Sequence, residues 1–136
     1  MTRRLFAAVA VTLLASVAVS AHHAAAGIDR TRTVELKGTV KAFSWQNPHS
    51  WMEVEVVGDG GKVVTWTVEM TAPSYLVRAG WKASTVKPGD EVRVTVHPLK
   101  NGDPGGLFMS VTLADGRTLT ERPLQAQAAP ATPPAQ

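Results

Sequence analysis

From Val34 onward, apolar residues recur at every second position in one short stretch after another. A period of two marks half-buried β-strands, and it confines such a chain to all-β architectures. The first stretch sets Val34, Leu36, Val40 and Ala42 against Glu35, Lys37, Thr39 and Lys41, with Gly38 expected as a bend or bulge. Gln46-Asn47-Pro48-His49 reads as a turn. In the second stretch Met52, Val54 and Val56 alternate with Trp51, Glu53 and Glu55, and Gly58-Asp59-Gly60-Gly61 closes a hairpin. The third puts Val64, Trp66, Val68 and Met70 on one face and Val63, Thr65, Thr67 and Glu69 on the other.

The pattern breaks at Thr71. This residue is expected to cap a short helix with Pro73 in its first turn, Tyr75, Leu76 and Ala79 inward, and Gly80 as the stop. Lys87-Pro88-Gly89-Asp90 then turns into a fourth strand, with Val92, Val94 and Val96 facing in and Glu91, Arg93, Thr95 and His97 facing out. Asn101 to Gly106 reads as a loop, and Leu107, Met109, Val111 and Leu113 as the inner face of a fifth strand. Asp115-Gly116 leads into a short return around Leu119. Three strands, a helix and two strands is the order of an OB-fold. The expected fold is therefore all-β with one short helix, an OB-fold-like five-stranded Greek-key barrel over residues 34–121. Closing the barrel removes edges that such valine-rich strands would otherwise expose.

The flanks read differently. Arg3 and Arg4 precede an apolar run from Leu5 to Val19, and Val19-Ser20-Ala21 supplies small residues for a peptidase, so residues 1–21 are expected to be a secretory signal peptide. The run rises only about 22 Å as a helix, short of a ~30 Å hydrocarbon core, so no stable membrane anchor is expected after cleavage. The implied address is periplasmic or secreted. Thr2-Arg3-Arg4-Leu5-Phe6 also resembles the start of a twin-arginine export signal. The chain has no cysteine, which excludes a lipoprotein anchor, a disulfide scaffold and a thiolate metal site. Residues 22–33 are expected to form a flexible N-terminal segment. Residues 122–136 hold four prolines and one large apolar residue, the composition of a disordered Pro/Ala/Gln tail. Without Arg3 and Arg4 the chain carries 12 basic against 11 acidic residues, a balance that argues against nucleic acid as a partner.

Several blocks occur together in order: Ala21-His22-His23, Leu36-Lys37-Gly38-Thr39-Val40, Asn47-Pro48-His49, Trp66 with Glu69-Met70, Gly80-Trp81, Lys87-Pro88-Gly89-Asp90-Glu91-Val92, and Val111 to Arg117. Over about residues 21–120 the chain resembles a family of small secreted bacterial proteins whose domain has no known function. The resemblance implies export and one compact β-domain, and it supplies no activity. Many members continue His-His-Ser, where this chain has His23-Ala24, so no role for that serine carries over.

The candidate chemistry centres on the four histidines. Cleavage after Ala21 leaves His22 as the amino-terminal residue, and cleavage after Ser20 leaves Ala21-His22-His23. Either terminus offers an amine and imidazole nitrogens in the geometry Cu(II) prefers, so copper is the expected metal if one is bound. The fourth strand runs antiparallel to the first in an OB connectivity, which brings His97 within reach of His22 and His23. His49 lies at the far end of the first strand, ~40 Å away if straight, so it is not expected in the same site. Met52, Met70 and Met109 are expected in the core rather than as soft ligands. Phe43 and Trp51 fall outward by alternation, and with His49 they form a second candidate face for an envelope protein or a carbohydrate. The chain has no Ser/His/Asp spacing, phosphate loop or His-Glu-x-x-His helix. The expected function is thus an exported non-catalytic binding module, with copper at the mature amino terminus as the preferred ligand and an envelope protein or carbohydrate on the outer aromatic face as the alternative.

Overall fold

A computed structural model describes residues 27–122; residues 1–26, with the expected signal peptide and the candidate ligands His22 and His23, and residues 123–136 of the expected tail lie outside the described residues. The elements in order are β1 (Val34–Ser44), β2 (Trp51–Val57), a 3-10 turn at Asp59–Gly61, β3 (Val63–Glu69), α1 (Pro73–Arg78), β4 (Glu91–Pro98), β5 (Gly105–Leu113) and β6 (Thr118–Thr120). The sheet order is β3-β2-β1-β4-β5-β6. β3 also pairs in parallel with β5, Thr67 to Glu69 against Gly105 to Leu107, and this pairing closes five strands into a barrel. The closed five-stranded barrel with one short helix is the OB-type architecture the element order predicts.

β1 serves two partners. Its first half pairs with β4 and its second with β2, and the two pairings overlap at Gly38, Thr39. Gly38 is not the expected bulge but a point of close approach, where a Cβ would stand 2.1 Å from the Glu55 carbonyl oxygen. The irregularity comes later, where the register with β2 passes from Val40 to Ala42 and leaves Lys41 over. One extra residue inverts the in-out parity of everything after it. Phe43 therefore pairs with buried Met52 and turns into the core, while Ala42 pairs with Glu53 on the outer face. The outward Phe43 expected from simple alternation is corrected by this bulge.

β5 repeats the device. Its register with β4 skips Met109, so Phe108 and Val111 point in and Leu107 and Met109 point out. Met109 is exposed rather than a core methionine, whereas Met52 and Met70 are buried as expected. Gly105 and Gly106, expected in a loop, belong to β5 and make its contact with β3.

The helix is also differently set. Ala72 occupies the N-cap without a side-chain bond, and Tyr75 is exposed while Leu76 is fully buried. At the other end Gly80 has φ +91, the Gly80 amide donates to the Val77 carbonyl, and the Trp81 amide donates to the Leu76 carbonyl. This paired closure turns Trp81 back onto the core with Leu76. Trp81 is 1% exposed, with ring centroids 5.6 Å from Phe108 and 6.1 Å from Phe43, and its Nε1 donates to the Thr120 carbonyl at 2.9 Å.

Residues 27–33, expected to belong to a flexible segment, are held on the barrel. Ile28 is buried and bridges Leu99, the Asp29 amide donates to the Pro98 carbonyl, and the Lys100 amide donates to the Gly27 carbonyl, both at 2.8 Å.

Candidate functional site

Four of the expected site residues lie among the described ones, and the fold takes Phe43 into the core while leaving His49, Trp51 and His97 outside. Phe43 is removed to the core by the bulge at Lys41. Trp51 opens β2 on the outer face, half-buried and paired with Ser44 on one side and Glu69 on the other. His49 precedes it in the β1–β2 loop, after a cis Asn47-Pro48 peptide, and is exposed. His97 stands on the outer face of β4, where its Nδ1 donates to the Arg32 carbonyl at 2.7 Å. That bond leaves Nε2 as the ring nitrogen with a free lone pair.

Outward positions line up across the barrel: Trp51 pairs with Glu69, Glu69 with Leu107, and Leu107 with His97. Sequence reasoning does not mark Glu69 as a site residue, although its outward alternation with Thr65 and Thr67 is legible. It is mostly buried, and His49 Nδ1 donates to its Oε1. Glu121 completes the acidic end, accepting the Thr71 amide through Oε1 at 2.6 Å. Burial pushes the Glu121 carboxyl above the usual carboxylate range, against the opposing pull of the Thr71 amide, Arg122 and His49. Among the described residues, no three His, Asp or Glu side chains are grouped to hold a metal ion.

Beside Trp51 runs a cleft of about 310 Å³. One wall is Trp51, Thr67 and Glu69; the other is Ile28, Leu99 and Pro104 with the backbone of Gly105 and Gly106. A Cβ on Gly105 would stand 2.9 Å from Leu99 Cδ1, so glycine there lets the leucine lie against the strand. The second wall was not legible in sequence, because Ile28 and Leu99 meet only through the strap that residues 27–29 form on the end of β4. A larger hollow of about 420 Å³ lies over Lys37, Thr39, Glu91, Arg93 and Thr112. It lacks an aromatic side chain, and its two cations both face Glu35, at 3.7 Å and 4.0 Å.

Fold and cleft together define a class: a closed five-stranded OB-type barrel with an aromatic–carboxylate cleft on its β2–β3 face, between the β1–β2 and β4–β5 loops. Residues 10–109 match DUF6152, a family of unknown function, and the chain belongs to that family. No curated protein and no solved structure matches the chain.

Proposed function

We propose that this chain is an exported, non-catalytic binding module whose cleft at Trp51 takes a carbohydrate. The observation that carries the reading is the placement of Trp51, with Glu69 and Thr67 beside it, on the strand pair and between the two loops that OB-folds use for oligosaccharides and oligonucleotides. The indole offers an apolar face for a sugar ring, and the carboxylate and hydroxyl offer partners for its hydroxyl groups. The volume of about 310 Å³ suits one or two sugar units rather than a long chain. Near-balanced charge favours a neutral glycan over a nucleic acid. Export rests on Arg3, Arg4 and the apolar run to Val19. The test is an NMR titration of the protein with a panel of neutral oligosaccharides. A binder should shift the Trp51 indole, and Trp51→Ala should weaken it at least tenfold, a loss of ~1.4 kcal/mol, with the fold retained. Equal binding by Trp51→Ala, or no response from the indole across the panel, overturns the reading.

A second reading has its own support. A histidine that ligates a metal usually donates its other ring N–H to a carbonyl or carboxylate, and His97 donates Nδ1–H to Arg32 O. Gly27 is tied to Lys100, three residues beyond His97, and His22 and His23 lie only four to five residues before Gly27. We propose a Cu(II) site formed by the mature amine, His22 and His23, with His97 as a further ligand. Native-terminus protein should bind one Cu(II) at least tenfold more tightly than protein with a leftover residue before the terminus, ~1.4 kcal/mol. Equal affinities remove the amine from the site.

A further inference from the structure

The barrel is closed along only part of β3. Thr67 to Glu69 pair with β5, but Val63 to Trp66 have a strand partner on the β2 side alone among the described residues. The direction of the free groups follows from one bond. The Thr67 amide donates to the Pro104 carbonyl, away from β2. By the alternation of a β-strand, Thr65 and Val63 present their N–H and C=O groups to that same side, while Val64 and Trp66 turn theirs toward β2.

Exposed edges are normally guarded by lysine, proline, inward charge or shortness; this one is short, and Lys62 stands just before it. Val63-Val64-Thr65-Trp66 carries no charge and no proline, and two of its residues are valine. Val63 is 54% exposed, and its cross-strand partner Val57 is exposed as well. We propose that this edge pairs with the same edge of a second copy, antiparallel about a two-fold axis, joining the two barrels through a continuous β2-β3-β3-β2 sheet.

Self-pairing needs a register in which the edge complements itself. Setting Val64 opposite Val64 of the partner subunit places Val63 opposite the partner's Thr65, and Thr65 opposite the partner's Val63. Both pairs then exchange two backbone hydrogen bonds, four in all, and no like charges meet within the paired segment. On the outer face the exposed Val63 gains the partner's Thr65 opposite it and the partner's Val63 on the diagonal, where it now meets water. A second copy suits the edge better than a charged peptide, because the segment offers no charge for one to recognise. So short an interface falls below the ~1,200 Å² of a standard complex, so the dimer is weak and depends on concentration.

The experiment is sedimentation velocity of the purified protein from micromolar to millimolar concentration, with amide hydrogen exchange measured at both ends of the range. Dimer should grow with concentration. Exchange at the Val63 and Thr65 amides should slow at least tenfold, while the Val64 and Trp66 amides, already paired with β2, should not change. Thr65→Pro removes only an outward amide, so it should keep the far-ultraviolet spectrum and abolish the dimer. Val63→Lys, which puts a cation on each copy at the junction, should do the same if the proline variant does not fold. A protein that stays monomeric throughout, exchange at Val63 and Thr65 independent of concentration, or a folded variant that dimerises like the parent each overturn the proposal.

Discussion

Trp81→Ala will lose about 3–5 kcal/mol of folding stability, the usual cost of removing a large aromatic side chain from a core. A domain of this size has only about 5–15 kcal/mol in total, so the variant will be largely unfolded at physiological temperature. Three contributions act together. The indole fills the space between Phe43 and Phe108, it supports Leu76 beneath the helix, and its N–H holds the Thr120 carbonyl of β6. Trp81→Phe separates them, since it keeps most of the ring and loses the N–H bond, worth about 1 kcal/mol. Urea titration followed by circular dichroism measures both, with Trp51→Ala as a half-buried comparison expected to cost far less. If Trp51→Ala and Trp81→Ala lose equal stability, Trp81 does not anchor the core.

Gly38→Ala will be the most damaging small substitution in the sheet. The added methyl would sit 2.1 Å from the Glu55 carbonyl oxygen and 3.0 Å from a Val54 methyl, and backbone cannot rotate out of the way as a side chain can. β1 must move off β2 at the position where it is also paired with β4, so relief on one side strains the other. Overpacking of this kind costs typically ~1–3 kcal/mol, and the doubly paired strand places Gly38 at the upper end of that range. Gly58→Ala is the control. Its nearest neighbour is 3.5 Å away and its φ is −88°, so the thermal midpoint should barely change. Similar losses for the two variants would show that the close approach at Gly38 does not limit the sheet.

Alternation makes most of the barrel legible in the sequence. Met52, Val54, Val68, Val92, Val94 and Val96 are buried where the period of two puts them, and the order of elements gave the closure. The errors have one origin. A β-bulge adds a residue without leaving a mark in composition, so simple alternation runs straight through Lys41 and Met109 and misplaces Ala42, Phe43, Leu107 and Met109. Trp66 stood out as the aromatic on an inner face, yet it is half-buried and packs at the edge of the core. The central aromatic is Trp81, which follows a helix stop and belongs to no periodic stretch, so no pattern pointed at it. The site divided in the same way. Trp51 and Glu69 were readable as outward neighbours, whereas Ile28 and Leu99 come together only through contacts between distant parts of the chain.

β3 and β6 occupy successive stretches of the same side of β5, and the Thr71 amide meets the Glu121 carboxylate where one gives way to the other. The sheet is therefore extended beside the barrel's closure by β6, the last of the described strands. A nascent chain emerging from its amino terminus can form the β1–β2–β3 meander early, since those contacts are local. The indole of Trp81 gains its hydrogen bond only once Thr120 has appeared, because the carbonyl that receives the N–H is supplied then. The full stability of the domain therefore waits for β6, the last of its described strands.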